Sequence, residues 1–364
     1  MATPTTTTAF YIRSNGDPAA VLESGAVALP ANDLQPNQVL LKILAAPVNP
    51  SDLYGVLGVY PVPLTPATTA DKTKDVRVPG YEAVAEVARV GSAVRDIQVG
   101  DWVVPFRNGF GTWRAHAAVD AENVFVVRKM GEPELALEDA AALYINLPTA
   151  YRLLKDFGTL EKGDWVVQTA ANSLVGKYVI QLARAWGLRT INLIRDRKDF
   201  DATKKELMDL GATAVLRNET DELADFVKAN VDAKRGVRLA LDPVGGASLA
   251  PMVKVLGAHG AAVLYGLLSG DPTPAIPVGD VMFRQLKVCG FWVAQWDRDA
   301  EVAEKQAMND ELVALLRAGK IKSPAVEKVV VPIDGRAVGE EVVKRVASGL
   351  AGYRGNKDLL VFQH

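Results

Sequence analysis

Apolar positions along the chain follow two rhythms, and the change from one to the other divides it. From Val39 to Val127 short β-branched runs are broken by Gly and Pro: V-L-L-K-I-L-A-A-P-V, E-A-V-A-E-V-A-R-V-G, G-D-W-V-V-P-F and T-W-R-A-H-A-A-V. Short strands at such close intervals predict an irregular antiparallel barrel. The Thr-, Asp-, Lys- and Pro-rich stretch between Leu64 and Val76 has no periodicity and reads as a surface loop. From Leu137 the pattern becomes helical on either side of Pro148, and then strands and helices alternate. Strands are expected at Asp164 to Ala170, Thr190 to Ile194, Ala212 to Leu216, Val237 to Asp242, Ala261 to Tyr265 and within Val288 to Ala294. Helical spacing separates them, as in Val175, Val179, Leu182, Ala183 and Trp186, stopped by Gly187. This is the grammar of a doubly wound α/β sheet. A long amphipathic helix at Glu301 to Ala318 precedes the closing strand-like runs V-E-K-V-V-V-P-I and L-L-V-F-Q.

The bulk numbers narrow the class. A chain of 364 residues, 49% hydrophobic and 23% charged, suits a soluble protein of two domains. A formal net charge of -2 gives no global attraction to nucleic acid or to an anionic membrane, and no apolar run reaches the length of a membrane span. The single cysteine, Cys289, excludes an internal disulfide and points to a reducing compartment. The N-terminal M-A-T-P-T-T-T-T lacks the apolar core of a signal peptide and has no Arg before Arg13, which makes a poor transit peptide.

The stretch Asp164 to Arg197 carries the first candidate chemistry. It reads as strand, turn, helix and strand, the opening βαβ of a dinucleotide-binding fold, in which the helix N-terminus faces a pyrophosphate. Of the glycines in the usual G-x-G-x-x-G only the last has a counterpart, Gly176. Asn172 and Ser173 stand in the turn instead, and they also suit a plain helix cap. Asp196 falls about twenty residues past the turn, where NAD enzymes place an acid on the ribose. Arg195 and Arg197 flank it, and two guanidiniums suit an adenosine 2′-phosphate; with Lys198 following, a solvated charge run is the plainer alternative.

A barrel-like first half, a central dinucleotide domain and a C-terminal return to the barrel resemble the medium-chain dehydrogenase/reductase superfamily. Its zinc branch carries G-H-E and an upstream Cys as metal ligands. Here Pro79-Gly80-Tyr81-Glu82 puts Tyr in the His position, and Val48-Asn49-Pro50-Ser51-Asp52 has no Cys. The three histidines, His116, His259 and His364, are scattered, so no metal site is expected. Within the zinc-free branch the chain resembles the mitochondrial trans-2-enoyl-thioester reductases. N-P-S-D with a late G-x-Y (Asn49 to Tyr60), F-G-T-W-R (Phe110 to Arg114), N-x-x-T-A-Y-R (Asn146 to Arg152), A-N-S-x-V-G (Ala171 to Gly176), I-N-x-x-R-x-R (Ile191 to Arg197) and G-F-W with Q-W (Gly290 to Trp296) recur in order. Tyr54 and Leu57 depart from the family's usual Asn and Gln.

The resemblance implies a GroES-like irregular barrel over 1–144 and 297–364, a Rossmann NADPH-binding domain over 145–296, and NADPH-dependent reduction of enoyl-CoA or enoyl-acyl carrier protein in fatty acid synthesis. It makes Tyr60 the catalytic donor to the thioester carbonyl. It assigns the cofactor to Asn146, Asn172, Ser173, Leu174, Val175, Gly176, Arg195, Asp196, Arg197, Tyr265, Gly266, Leu267, Leu268, Phe291, Trp292 and Val293, with Lys357 reaching a phosphate. Phe291 and Trp292 are also expected to wall the acyl pocket. A homodimer through an edge strand near Val288 to Ala294 is expected, with a mitochondrial matrix location in a eukaryote and a cytoplasmic one in a bacterium. An NADPH:quinone oxidoreductase of the same superfamily, or a non-catalytic protein on this fold, are the competing readings.

Overall fold

The computed structural model describes residues 5–29, 34–107, 109–218, 220–333, 337–350 and 356–363, so His364 lies outside the described residues. The chain gathers into two units: Met1–Ile145 with Asp297–Arg317 and Ala325–His364, and Asn146–Trp296 with Ala318–Pro324. The segment 318–324 thus goes with the second unit rather than with the barrel.

The first unit opens with β1 (Thr6–Tyr11) and β2 (Glu23–Ala28), an antiparallel pair. Then come β3 (Gln38–Pro47), β4 (Thr65–Thr68), β5 (Asp75–Val78), β6 (Val84–Val90), β7 (Trp102–Pro105), β8 (His116–Asp120) and β9 (Val124–Arg128). The last two strands of the chain, β16 (Val326–Pro332) and β17 (Lys357–Gln363), join them in a seven-stranded sheet ordered β16-β17-β3-β6-β7-β9, with β8 also on β3. Strand β17 pairs antiparallel with β3, setting Leu360 opposite Ala46, so the start of β17 lands beside the Asn49 stretch. The barrel strands fall where the short apolar runs place them. The expected loop between Leu64 and Val76 does not: β4 and β5 form an antiparallel hairpin there, Thr65 opposite Val78. Polar composition hid it, because the hairpin takes its apolar contacts from the distant Ala9, Tyr11 and Val27, which pack with Val76 and Val78.

The second unit is built on β10 (Trp165–Gln168), β11 (Arg189–Ile194), β12 (Ala214–Arg217), β13 (Val237–Asp242), β14 (Leu256–Leu264) and β15 (Lys287–Gly290). They form one sheet in the order β12-β11-β10-β13-β14-β15, every pairing parallel. Strand β10 is buried along its whole length, as a parallel strand with both faces covered must be. One cluster packs Val167, Ile191, Ala240, Met252 and Leu256 together, and another sets Ile180, Phe200, Leu207 and Val215 around Ile194. The chain order reverses between β10 and β13, which puts the ligand crevice of such sheets at the C-terminal ends of these strands. The helical break expected at Pro148 lies earlier, between Leu137–Ala141 and Asn146–Lys155. Pro148 sits in the first turn of the second helix, where a missing N–H costs nothing.

Candidate active site

At the end of β10 the chain turns sharply into the helix Leu174–Ala185. Ala170 takes a left-handed conformation (φ +46), and Ser173 caps the helix, its Oγ accepting from the Gly176 N–H at 3.1 Å. A Cβ on Gly176 would lie 2.7 Å from the Ala171 carbonyl oxygen, so the helix approaches the turn as closely as only glycine allows. Behind it, buried Gln168 donates to the Gly176 carbonyl at 2.9 Å and to Asn192 Oδ1 at 2.8 Å. Asn172, Ser173, Leu174 and Val175 are half-buried around the free N–H groups of the first turn. This is a helix N-terminus at the sheet's switch point, an arrangement that receives a pyrophosphate.

Strand β11 ends at Ile194 and delivers Arg195, Asp196 and Arg197 in succession. Desolvation and the nearby Arg197 charge lower the Arg195 pKa, so two like charges lie close together here. The Asp196 carboxylate is paired with Arg217 at 3.2 Å, a cation at the end of β12 that the sequence did not single out. Arg217 also lies over the Phe200 ring, 4.1 Å from its centroid. Three guanidiniums and one carboxylate thus share this sheet edge, a donor set that fits a phosphate dianion better than a neutral diol.

The remaining expected contacts of the second unit gather at the strand ends. Asn146 is buried at the start of its helix. The Tyr265 N–H donates to the Asp242 carbonyl at 3.0 Å, and a Cβ on Gly266 would lie 2.7 Å from the Pro243 oxygen; Leu267 and Leu268 are exposed. Asp242, also missed in the sequence, organises this rim. Its buried carboxylate accepts from Thr169 Oγ1 (2.6 Å), Val244 N–H (2.9 Å), Gly245 N–H (3.2 Å) and Ser248 Oγ (2.7 Å). Phe291 donates its N–H to Leu264 at 2.8 Å and meets Phe157 edge-on, while Trp292 precedes and Val293 begins the helix Val293–Asp299.

In the first unit the sequence motifs, weak one by one, interlock. Asn49 and Pro50 start the helix Pro50–Leu57, and Asp52 in its first turn accepts from the Asn49 N–H (2.7 Å) and the Tyr81 N–H (3.0 Å). Glu82 accepts from Asn49 Nδ2 (2.9 Å) and the Ile145 N–H (2.6 Å). Thr112 of F-G-T-W-R donates its N–H to the Gly80 carbonyl and its hydroxyl to the Glu82 carbonyl, both at 3.0 Å. The helix ends at Gly58 (φ +84), and the Tyr60 N–H reaches back to the Tyr54 carbonyl at 3.2 Å. Tyr60 is half-buried, its ring 5.5 Å from that of Tyr81.

The Nζ of Lys357 hydrogen-bonds Asn49 Oδ1 beside Asp52 and Glu82. A half-buried ammonium needs opposite charge at hand, and β17 brings it beside two carboxyl groups. Burial lowers the Lys357 pKa against the pull of both carboxylates, and burial pushes Asp52 up to about 7. Of the described histidines, His116 on β8 donates its N–H to Thr7 Oγ1 at 2.8 Å, and His259 has φ +60 within β14. No group of three or more His, Cys, Asp or Glu among the described residues is placed to hold a metal ion.

Comparison with known proteins gives this arrangement its relatives. Residues 35–129 match the alcohol dehydrogenase GroES-like domain, and residues 175–309 match the zinc-binding dehydrogenase family. The chain is 40% identical over 294 residues to the mitochondrial enoyl-[acyl-carrier-protein] reductase of Caenorhabditis elegans, covering 80% of this chain and 79% of that protein. It is 38% identical over 332 residues to the human protein of the same name, covering 90% and 83%. Among solved structures, the Etr1p/NADP/crotonyl-CoA complex superimposes with a TM-score of 0.86 at 29% identity, covering 98% of this chain and 99% of that one.

Proposed function

The chain belongs to the family of the mitochondrial enoyl-[acyl-carrier-protein] reductases, medium-chain dehydrogenases/reductases, and on that premise we propose that it reduces trans-2-enoyl thioesters to saturated acyl thioesters with NADPH. The observation that carries the reading is this near full-length kinship, and the chemistry of the residues agrees with it. NADPH supplies a hydride to the substrate's β-carbon. As that bond forms, the π electrons of the alkene move toward the thioester carbonyl, whose oxygen gains negative charge. A neutral phenol is the apt partner for that oxygen, since it keeps its proton at physiological pH and donates one directed hydrogen bond. Tyr60 takes this role, and a proton then completes the α-carbon.

On the cofactor side, Ser173 and the N–H groups after Asn172 receive the pyrophosphate, and Arg195 and Arg197 the 2′-phosphate. Asn146, Leu174, Val175, Gly176, Tyr265 to Leu268 and Phe291 to Val293 line the remainder, Phe291 and Trp292 also facing the acyl group. The carrier is coenzyme A or acyl carrier protein, and the pathway is fatty acid synthesis. A mitochondrial matrix location for a eukaryotic source, or a cytoplasmic one for a bacterial source, goes with this reading. A homodimer is supported by β15, the edge of the second unit's sheet, and by the neighbouring helix Val278–Phe283, which leaves Val278, Met282 and Phe283 exposed. A monomer mass in light scattering at micromolar concentration would count against that assembly.

The test is an NADPH-oxidation panel with trans-2-enoyl-CoAs of increasing length and a small quinone, run on the wild type and Tyr60→Phe. The expected result is turnover of the enoyl thioesters, with Tyr60→Phe binding NADPH normally but losing about a hundredfold or more in kcat, the lower end of the general-acid range. Turnover of the quinone alone, or an undiminished rate in Tyr60→Phe, would overturn the assignment.

A further inference from the structure

Tyr81 stands where the zinc branch has a histidine ligand, and it holds both ends of the segment that carries Tyr60. Its main-chain N–H is taken by Asp52, in the first turn of the helix that leads to Tyr60. Its phenol donates to the Val62 carbonyl at 2.7 Å, two residues beyond Tyr60. Its ring lies against the Tyr60 ring at 5.5 Å, the two planes tilted by 42°. The side chain has little freedom to leave: Tyr81 is 3% exposed, and a Cβ added at Gly55 would meet its hydroxyl oxygen at 2.6 Å. On the Tyr60 side the main chain is already tied by its N–H to Tyr54, and Pro61 fixes the next φ. The ring contact and the Val62 bond therefore bear on the orientation of a side chain that has two torsions of its own.

The geometry points to Tyr81 as a positioning residue for Tyr60, fixing the direction in which the Tyr60 hydroxyl donates to the thioester oxygen. This rests on the reading of Tyr60 as the donor. Donor placement matters steeply, because a displacement of about 1 Å costs a reaction on the order of a hundredfold. Tyr81→Phe keeps the ring and removes only the bond to Val62. It is expected to lower kcat for a trans-2-enoyl-CoA about tenfold, an intermediate loss for a donor that is loosened rather than removed, with the KM for NADPH unchanged.

The readout that separates positioning from general support is a double-mutant cycle. In the Tyr60→Phe background, Tyr81→Phe should have no further effect on kcat, since no hydroxyl remains to be aimed. A general structural role would lower kcat by the same factor in both backgrounds. Gly55→Ala, which crowds the Tyr81 hydroxyl from the helix side, should reproduce the loss in the wild type and add nothing in Tyr60→Phe. Should Tyr81→Phe fail to fold, this second cycle decides the question in the same way. Wild-type kcat in Tyr81→Phe and Gly55→Ala, or losses that multiply with Tyr60→Phe, would overturn the inference and leave Tyr60 as donor. A full-rate Tyr60→Phe would instead refute the donor reading, and this inference with it.

Discussion

Replacing Arg195 and Arg197 by alanine tests how the second unit chooses its cofactor. A hydrogen bond to a charged group contributes about 1.5–3 kcal/mol net. Arg195 is exposed and Arg197 half-buried, so salt and water reduce each to about 1–2 kcal/mol. At about 1.4 kcal/mol per factor of ten, each single variant should lose roughly five- to thirtyfold in kcat/KM for NADPH. The double variant should lose less than the product, because both guanidiniums serve one phosphate and are close enough to repel each other. NADH has no 2′-phosphate, so its kcat/KM should hold within about twofold, a surface substitution away from its contacts having little effect. The assay is steady-state oxidation of NADPH and of NADH with one enoyl-CoA, with each cofactor varied in turn. An unchanged NADPH-to-NADH preference in the double variant, or an equal loss with both cofactors, would refute the assignment.

Two further outcomes follow from the packing. Asp52 has its pKa raised from 3.8 to about 7, so the folded state holds this proton more tightly than the unfolded chain does. The stability from this group is complete below about pH 4 and is lost as pH rises through 7, by at most about 4 kcal/mol. In urea titrations, wild type should therefore lose stability relative to Asp52→Asn between pH 4.5 and 7.5; parallel curves would contradict this. Phe283→Glu, at a side chain 81% exposed beside the sheet edge, should shift the light-scattering mass to that of one 39.0 kDa chain, and an unmoved dimer mass would place the contact elsewhere.

Much of the second unit is legible in the sequence because its signals are local. Strand β13 occupies Val237–Asp242, as its apolar run predicts, and the helix Leu174–Ala185 stops at Trp186 and Gly187, where its spacing ends. The turn between β10 and this helix is harder to read, since Gly176 is the only glycine left of the usual set. Its identity rests on a close approach of backbone to backbone that composition does not record.

What only the tertiary structure decided are the partners. The hairpin of β4 and β5 is polar in sequence and becomes a hairpin through register and distant apolar neighbours. The neighbours of Lys357 come from pairing: β17 runs beside β3 and sets it next to Asn49, Asp52 and Glu82. Arg217 meets Asp196 because β12 lies next to β11. Tyr81 reads as a lost metal ligand, and its contact with Tyr60 exists only once Asp52 and Val62 have closed around it. Periodicity is written in neighbouring residues and fixes which face of an element is buried. Which charge meets which, and which ring steadies Tyr60, depends on strand order, because pairing brings together groups that the chain keeps tens to hundreds of residues apart.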